Sequence, residues 1–156
     1  MIAFLPLSTI RIKSRRESLV VGYVAFLDYR MEIAVQKLTA IFFLVTGLSH
    51  IFQPRVWVQF FIYLREKGEV GSFLNAFVHF PLGAFIVAFH SIWHGLPGTI
   101  VTLIGWGLTI KGTIYFLFPR FGLRMLGVVS MERSWQFVVA GVLSVALALW
   151  IFLAHW

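Results

Sequence analysis

Lys111 sits inside an apolar run, "TLIGWGLTIKGTIYFLFPR" at 102–120, with no acidic residue near it in the sequence. If that run crosses a bilayer and Pro119 marks its border, the Lys111 Cα is about 12 Å deep at roughly 1.5 Å per residue. One reading is a snorkelling lysine, whose stem carries the charge back towards the headgroups and reduces a cost of about 3 kcal/mol for a centred lysine. The other is an interior polar cluster. His79 lies at nearly the same depth in the preceding apolar stretch, Asn75 is one turn away on the same helical face, and Thr46 takes the place of Lys111 in the repeat described below. Lysine and histidine both change protonation readily when desolvated. Because no carboxylate shares this depth, a cluster of Lys111, His79, Asn75 and Thr46 is suited to an anionic headgroup or solute, or to proton relay.

A second group of candidates lies at the other end. His90 and His94 are four apart and share a face if their helix continues through "HSIWHG"; His155 reaches the same level, and Glu32 precedes the first apolar stretch there. Three histidines and a carboxylate can hold a divalent metal. Gly95 and Pro97 break the helix at once, however, and histidines beside Trp93 and Trp156 also suit an interfacial belt. Bis-histidine haem would draw on His50, His79 or His90, which differ in depth, so no cofactor is expected. No G-x-S-x-G, P-loop, H-E-x-x-H or G-x-G-x-x-G motif occurs, and no pair of intramembrane acids exists for proton pumping. No residue is assigned a catalytic role.

The elements that must position these side chains are set by lipid. Of 156 residues 60% are hydrophobic and 12% charged, with a mean hydropathy of +0.89, against roughly 25% charged in a soluble domain. The net charge of +7 comes from short basic clusters between apolar runs, which argues for membrane flanks and against a nucleic-acid surface. Cysteine is absent, which excludes disulfides, thiol catalysis and Cys-based metal sites. Four stretches, about 34–53, 71–92, 99–118 and 135–156, approach the roughly 20 apolar residues of a spanning helix. The expected fold is all-α, a four-helix transmembrane bundle. Within 54–70, Trp57, Phe60, Phe61 and Leu64 fall at helical spacing and predict a short interfacial helix. Glycines 47, 83, 105, 107, 112 and 141 read as close-packing points between spans.

A repeat emerges when the first and third spans are aligned on Pro-Arg. "GLSHIFQPR" at 47–55 then falls on "GTIYFLFPR" at 112–120, with His50 opposite Tyr115, and the second and fourth spans share "GxxxVA" at Gly83 and Gly141. Duplication would make the bundle a two-plus-two parallel repeat with both Pro-Arg ends on one side. The connections 54–70 and 119–134 carry Arg55, Arg65, Lys67, Arg120, Arg124 and Arg133, whereas "HSIWHGLPG" and the C-terminal end carry no Lys or Arg. The positive-inside rule makes loops 54–70 and 119–134 cytoplasmic. With Lys37 at the start of the first span the two orientations tie at six basic residues each, because residues 1–30 pull the other way with Arg11, Lys13, Arg15, Arg16 and Arg30. Translation from Met31 would make them an upstream reading-frame extension; otherwise "SLVVGYVAFL" is a short anchor or signal remnant, too short to span and without an A-x-A-like cleavage site. The membrane domain is expected at 31–156.

"GLSHIFQP", "HSIW", "IGWGLTIKG" and "LFP" over about 34–120 resemble a largely uncharacterised group of small four-helix bacterial inner-membrane proteins. The fourth span matches in character only, and the chain departs in Ser91, where an amide is more usual, and in its long N-terminal extension. The resemblance implies a bacterial inner (cytoplasmic) membrane location and supplies no catalytic residue or cofactor. The expected function is a non-catalytic accessory or interaction module, with membrane lipids, a second copy or a larger membrane complex as partners. The alternative is a small-solute or ion transport component using the Lys111–His79 cluster.

Overall fold

The computed structural model describes residues 15–155, with side chains for 17–154. Residues 1–14 of the basic extension and the side chain of His155 lie outside the described residues. The chain forms α1 (Arg15–Phe52), α2 (Pro54–Glu66), α3 (Gly68–Phe89), α4 (Leu96–Leu117), α5 (Pro119–Leu126), one 3-10 turn (Met131–Arg133) and α6 (Trp135–His155). Four segments, Glu17–Phe52, Gly68–Phe89, Leu96–Leu117 and Met131–Ala154, are long and apolar enough to cross a membrane. The protein is an all-α, multi-pass membrane bundle.

The first span starts earlier than its apolar pattern predicts. Instead of beginning near 34, α1 runs for 38 residues, about 57 Å at 1.5 Å per residue, against roughly 30 Å of hydrocarbon thickness. Residues 15–52 contain no proline, and Asp28, Arg30 and Glu32 interrupt the apolar run without breaking the helical hydrogen-bond ladder. Charge marks where lipid ends, which is not where a helix must end. Leu19 to Tyr29 expose their apolar side chains, and packing against the bundle begins at Val35.

The second and third spans are displaced a few residues N-terminally from the expected positions. His90 leaves the helix with φ −145° and ψ 109°, so α3 ends at Phe89. Gly95, at φ +72°, occupies the left-handed region that a side chain rarely tolerates. Pro97 then falls in the first turn of α4, where its missing N–H costs nothing.

The 119–134 connection contains a helix that the apolar pattern did not predict, and it copies the earlier one. Gln53 (φ −127°, ψ 46°) and Phe118 (φ −128°, ψ 64°) break the preceding span with nearly the same backbone, each followed by Pro-Arg. Gln53 N–H donates to the Ser49 carbonyl and Phe118 N–H to the Ile114 carbonyl, both at 2.8 Å. Span, proline hinge, amphipathic helix and span therefore occur twice, as α1-α2-α3 and α4-α5-α6.

The spans pack as two intimate pairs, α1 on α6 and α3 on α4, which touch each other sparsely. Glycine sets both seams. A Cβ on Gly47 would lie 2.8 Å from the Gly141 carbonyl oxygen and one on Gly141 would lie 2.6 Å from that of Gly47, while one on Gly112 would lie 2.6 Å from the Phe80 Cβ. Gly83 meets Leu108 and Thr109, and Gly105 meets Ile86, just as closely. The correspondence follows the repeat: Gly47 and Gly141 in one seam match Gly112 and Gly83 in the other. Gly107 corrects the expectation that all these glycines are packing points, because nothing lies within 4 Å of its Cβ position. Gly105 and Gly112, seven apart, face the seam, whereas Gly107, two residues and about 200° round the helix from Gly105, does not.

Candidate functional site

Two closely packed pairs that meet sparsely leave a cleft, and on the side carrying α2 and α5 it widens into a cavity of about 430 Å³. One wall comes from the α1·α6 pair through His50, Gln136, Phe137 and Ala140. The opposite wall comes from α3·α4 through Asn75, His79, Lys111 and Tyr115. Phe61 of α2, Met125 and Leu126 of α5, and residues 128–130 with Arg133 close the end. That volume falls within the roughly 300–1,000 Å³ typical of small-molecule sites.

Three of the four residues expected to cluster with Lys111 line this cavity: Lys111 itself, His79 and Asn75. Thr46 does not, but its carbonyl accepts a hydrogen bond from His50 Nδ1 at 2.7 Å. His79 Nδ1 donates in the same way to the Asn75 carbonyl at 3.0 Å. A carbonyl only accepts, so each ring carries a hydrogen on Nδ1 and leaves Nε2 for another partner. The His50 ring is further fixed between Trp57, stacked at 4.2 Å between centroids, and Phe137 at 5.6 Å. Trp57 is held in turn by its indole N–H on Ser49 Oγ at 3.0 Å. The Lys111 ammonium stands 5.8 Å from the centre of the Tyr115 ring, within reach of a cation–π attraction.

The lining contains Lys111, Arg133, His50 and His79 and, among the described residues, no carboxylate. Glu69, in the first turn of α3, is drawn to the surface by Arg120, whose Nε donates to Oε1 at 2.8 Å. That hydrogen bond and the carboxylate charge hold the Arg120 guanidinium above its usual pKa. Arg65 of α2 donates to the Val129 carbonyl at 3.1 Å and so fixes the 127–130 segment at the cavity rim. Asn75 is 1% exposed, and its Oδ1 accepts no hydrogen bond among the described residues. A buried amide oxygen in that condition costs about 1–3 kcal/mol. Basic side chains and two imidazoles, with the unpartnered Asn75 Oδ1 just beneath them, make a polar wall opposite the apolar Phe61, Met125, Val128 and Phe137.

His50, Tyr115, Arg133 and Gln136 were not expected here. The repeat had placed His50 opposite Tyr115, and that alignment was the available signal, since equivalent positions in the two units face one cleft.

The other histidines are arranged differently. Because α3 ends at Phe89, His90 and His94 do not share a helix face. His90 is 1% exposed, while His94 is exposed in the turn. Thr102 Oγ1 donates to the Ile92 carbonyl at 3.0 Å, accepts from Ile92 N–H at 3.1 Å, and accepts from His90 Nδ1 at 3.1 Å. One buried hydroxyl thus locks the turn between α3 and α4, and His90 has a structural part in that lock. Among the described residues no group of three or more His, Asp or Glu is placed to hold a metal ion; the His155 side chain lies outside them.

Comparison with known protein families, with curated proteins and with solved structures finds no match to this chain.

Proposed function

We propose that the protein is a non-catalytic accessory module of the bacterial inner membrane that binds a small anion or anionic group in the cleft between its helix pairs. The observation that carries this reading is the cavity lining of two strongly basic side chains and two imidazoles with no carboxylate among the described residues. In a low-dielectric cleft a cation without a protein counter-charge favours an anionic partner. The basic residues of the α2 and α5 connections support a cytoplasmic mouth for the cavity, and the resemblance noted above supports the membrane assigned.

A transport role has less support. Ile86, Val101, Ala148 and Ile151 are completely buried and pack together with Val35 and Ala40. Ile86 lies seven residues beyond His79 along α3, about 10 Å further from the cavity mouth, so an apolar layer separates the cavity from the 90–95 turn.

The test is calorimetric titration of purified protein in neutral-lipid nanodiscs with inorganic phosphate, acetate and choline. Saturable heat with an anion, none with choline, and loss of the anion signal in Lys111→Met and Arg133→Gln are expected. Equal responses in wild type and both variants would refute anion binding at this site.

A further inference from the structure

Resting on that anion-binding reading, we infer that the cavity takes a phosphate monoester carried on an alkyl chain, that is, the head of an anionic lipid bearing a terminal phosphate. The charge comes first. Lys111 and Arg133 are the strongly basic residues of the lining, which holds no carboxylate among the described residues, and together they give a double positive charge when both are protonated. A carboxylate or phosphodiester neutralises one of them, whereas a phosphate monoester carries about −1.5 to −2 at neutral pH.

Hydrogen-bond sense separates the classes further. With Nδ1–H of His50 and His79 committed to the Thr46 and Asn75 carbonyls, the Nε2 of each of these lining rings accepts when the ring is neutral and donates when it is charged. Asn75 lines the cavity, and its Oδ1, which accepts from no described group and lies just beneath the cavity surface, is an acceptor in either state once a side-chain rotation brings it to the ligand. A site with cations and acceptors side by side matches a group having both charged oxygens and a hydroxyl hydrogen. A phosphate monoester, whose second pKa is about 6, meets the site either as a dianion that matches both positive charges or as a monoanion that gives up one charge and keeps an O–H; carboxylate, sulfate and phosphodiester have no O–H to give.

The apolar wall supplies the tail. Phe61, Met125, Val128 and Phe137 line the same cavity, on α2, α5, the segment after α5 and the start of α6. A free phosphate would leave these side chains uncovered and most of the roughly 430 Å³ unfilled. An alkyl phosphate places its head against Lys111, His79 and Asn75 and its first carbons along the aromatic wall.

The test is native mass spectrometry of the full chain released from micelles, titrated separately with dilauroyl phosphatidic acid, dilauroyl phosphatidylglycerol, dilauroyl phosphatidylcholine and inorganic phosphate. One phosphatidic acid per chain is expected, held at least about tenfold more tightly than phosphatidylglycerol, as for loss of one or two charge-assisted hydrogen bonds. Asn75→Ala should narrow that preference, and Arg133→Gln, whose side chain is exposed and not needed for packing, should weaken phosphatidic acid by about tenfold. Helicity by circular dichroism checks that each variant folds. Equal affinity for phosphatidic acid and phosphatidylglycerol would overturn the monoester while leaving anion binding intact. Inorganic phosphate binding as tightly as the lipid would overturn the alkyl tail. Binding of no anion would defeat both this inference and the reading beneath it.

Discussion

Replacing Gly141 by alanine would set a methyl 2.6 Å from the Gly47 carbonyl oxygen and 2.9 Å from the His50 Cβ. The first distance is about 0.8 Å short of the 3.4 Å at which ordinary contact begins, and the obstacle is backbone, so α1 and α6 must part. Overpacking of this kind costs about 1–3 kcal/mol, partly offset by the roughly 1 kcal/mol that alanine gains over glycine as a helix former. A net loss of up to about 2 kcal/mol is expected, towards the upper end because the obstacle is backbone. Gly112→Ala should cost a similar amount, because its Cβ would meet Phe80 at 2.6 Å in the equivalent seam. Gly107→Ala is the control. With nothing within 4 Å, it should be neutral or stabilising. Reversible unfolding in mixed micelles, followed by circular dichroism against increasing sodium dodecyl sulfate, measures all three. Gly107→Ala destabilising as much as Gly141→Ala, or Gly141→Ala having no effect, would refute the glycine seams as the packing determinant.

Three further outcomes follow from named contacts. Thr102→Val removes the hydroxyl that serves His90, Ile92 N–H and the Ile92 carbonyl, and should lower unfolding stability in micelles by about 2–4 kcal/mol. Lys111→Met should raise stability by up to about 1–2 kcal/mol while abolishing anion binding, because an intramembrane cation without an acidic partner is costly to the fold; the same unfolding titration beside the calorimetry checks it, and a large loss of stability would contradict it. Arg65→Gln frees the Val129 carbonyl and should speed amide hydrogen exchange across residues 127–130 while leaving α3 and α4 unchanged; unaltered exchange at the rim would show that Arg65 does not position it.

Four spans were legible from hydropathy because lipid demands a long apolar run wherever a helix crosses it. Helix ends were less legible, since α1 obeys backbone hydrogen bonding through Asp28 and Glu32 where hydropathy sees a border. The α5 helix was missed because Pro119–Leu126 is eight residues long and half charged or small, although its likeness to the Pro-Arg start of α2 was visible. At the site, depth counting along single helices brought Lys111, His79 and Asn75 together, since all three lie on the neighbouring helices α3 and α4. It could not foresee that α1 and α6 would bring His50, Gln136 and Phe137 across the cleft, because pairing between distant spans is decided by glycine contacts such as Gly47 with Gly141.

The absence of cysteine from the chain makes a single introduced thiol a clean reporter of the cavity. Ser130→Cys places one at its rim, and Ser91→Cys places one on the exposed turn at the opposite end. The decisive measurement is the rate at which a maleimide labels each variant in nanodiscs, with and without saturating dodecyl phosphate. Protection of Ser130→Cys, none of Ser91→Cys, and loss of protection when Lys111→Met is added are the predicted results. Equal labelling rates with and without the anion at Ser130→Cys, under conditions where the ligand is shown to bind, would place the anion elsewhere and contradict the cleft as its site.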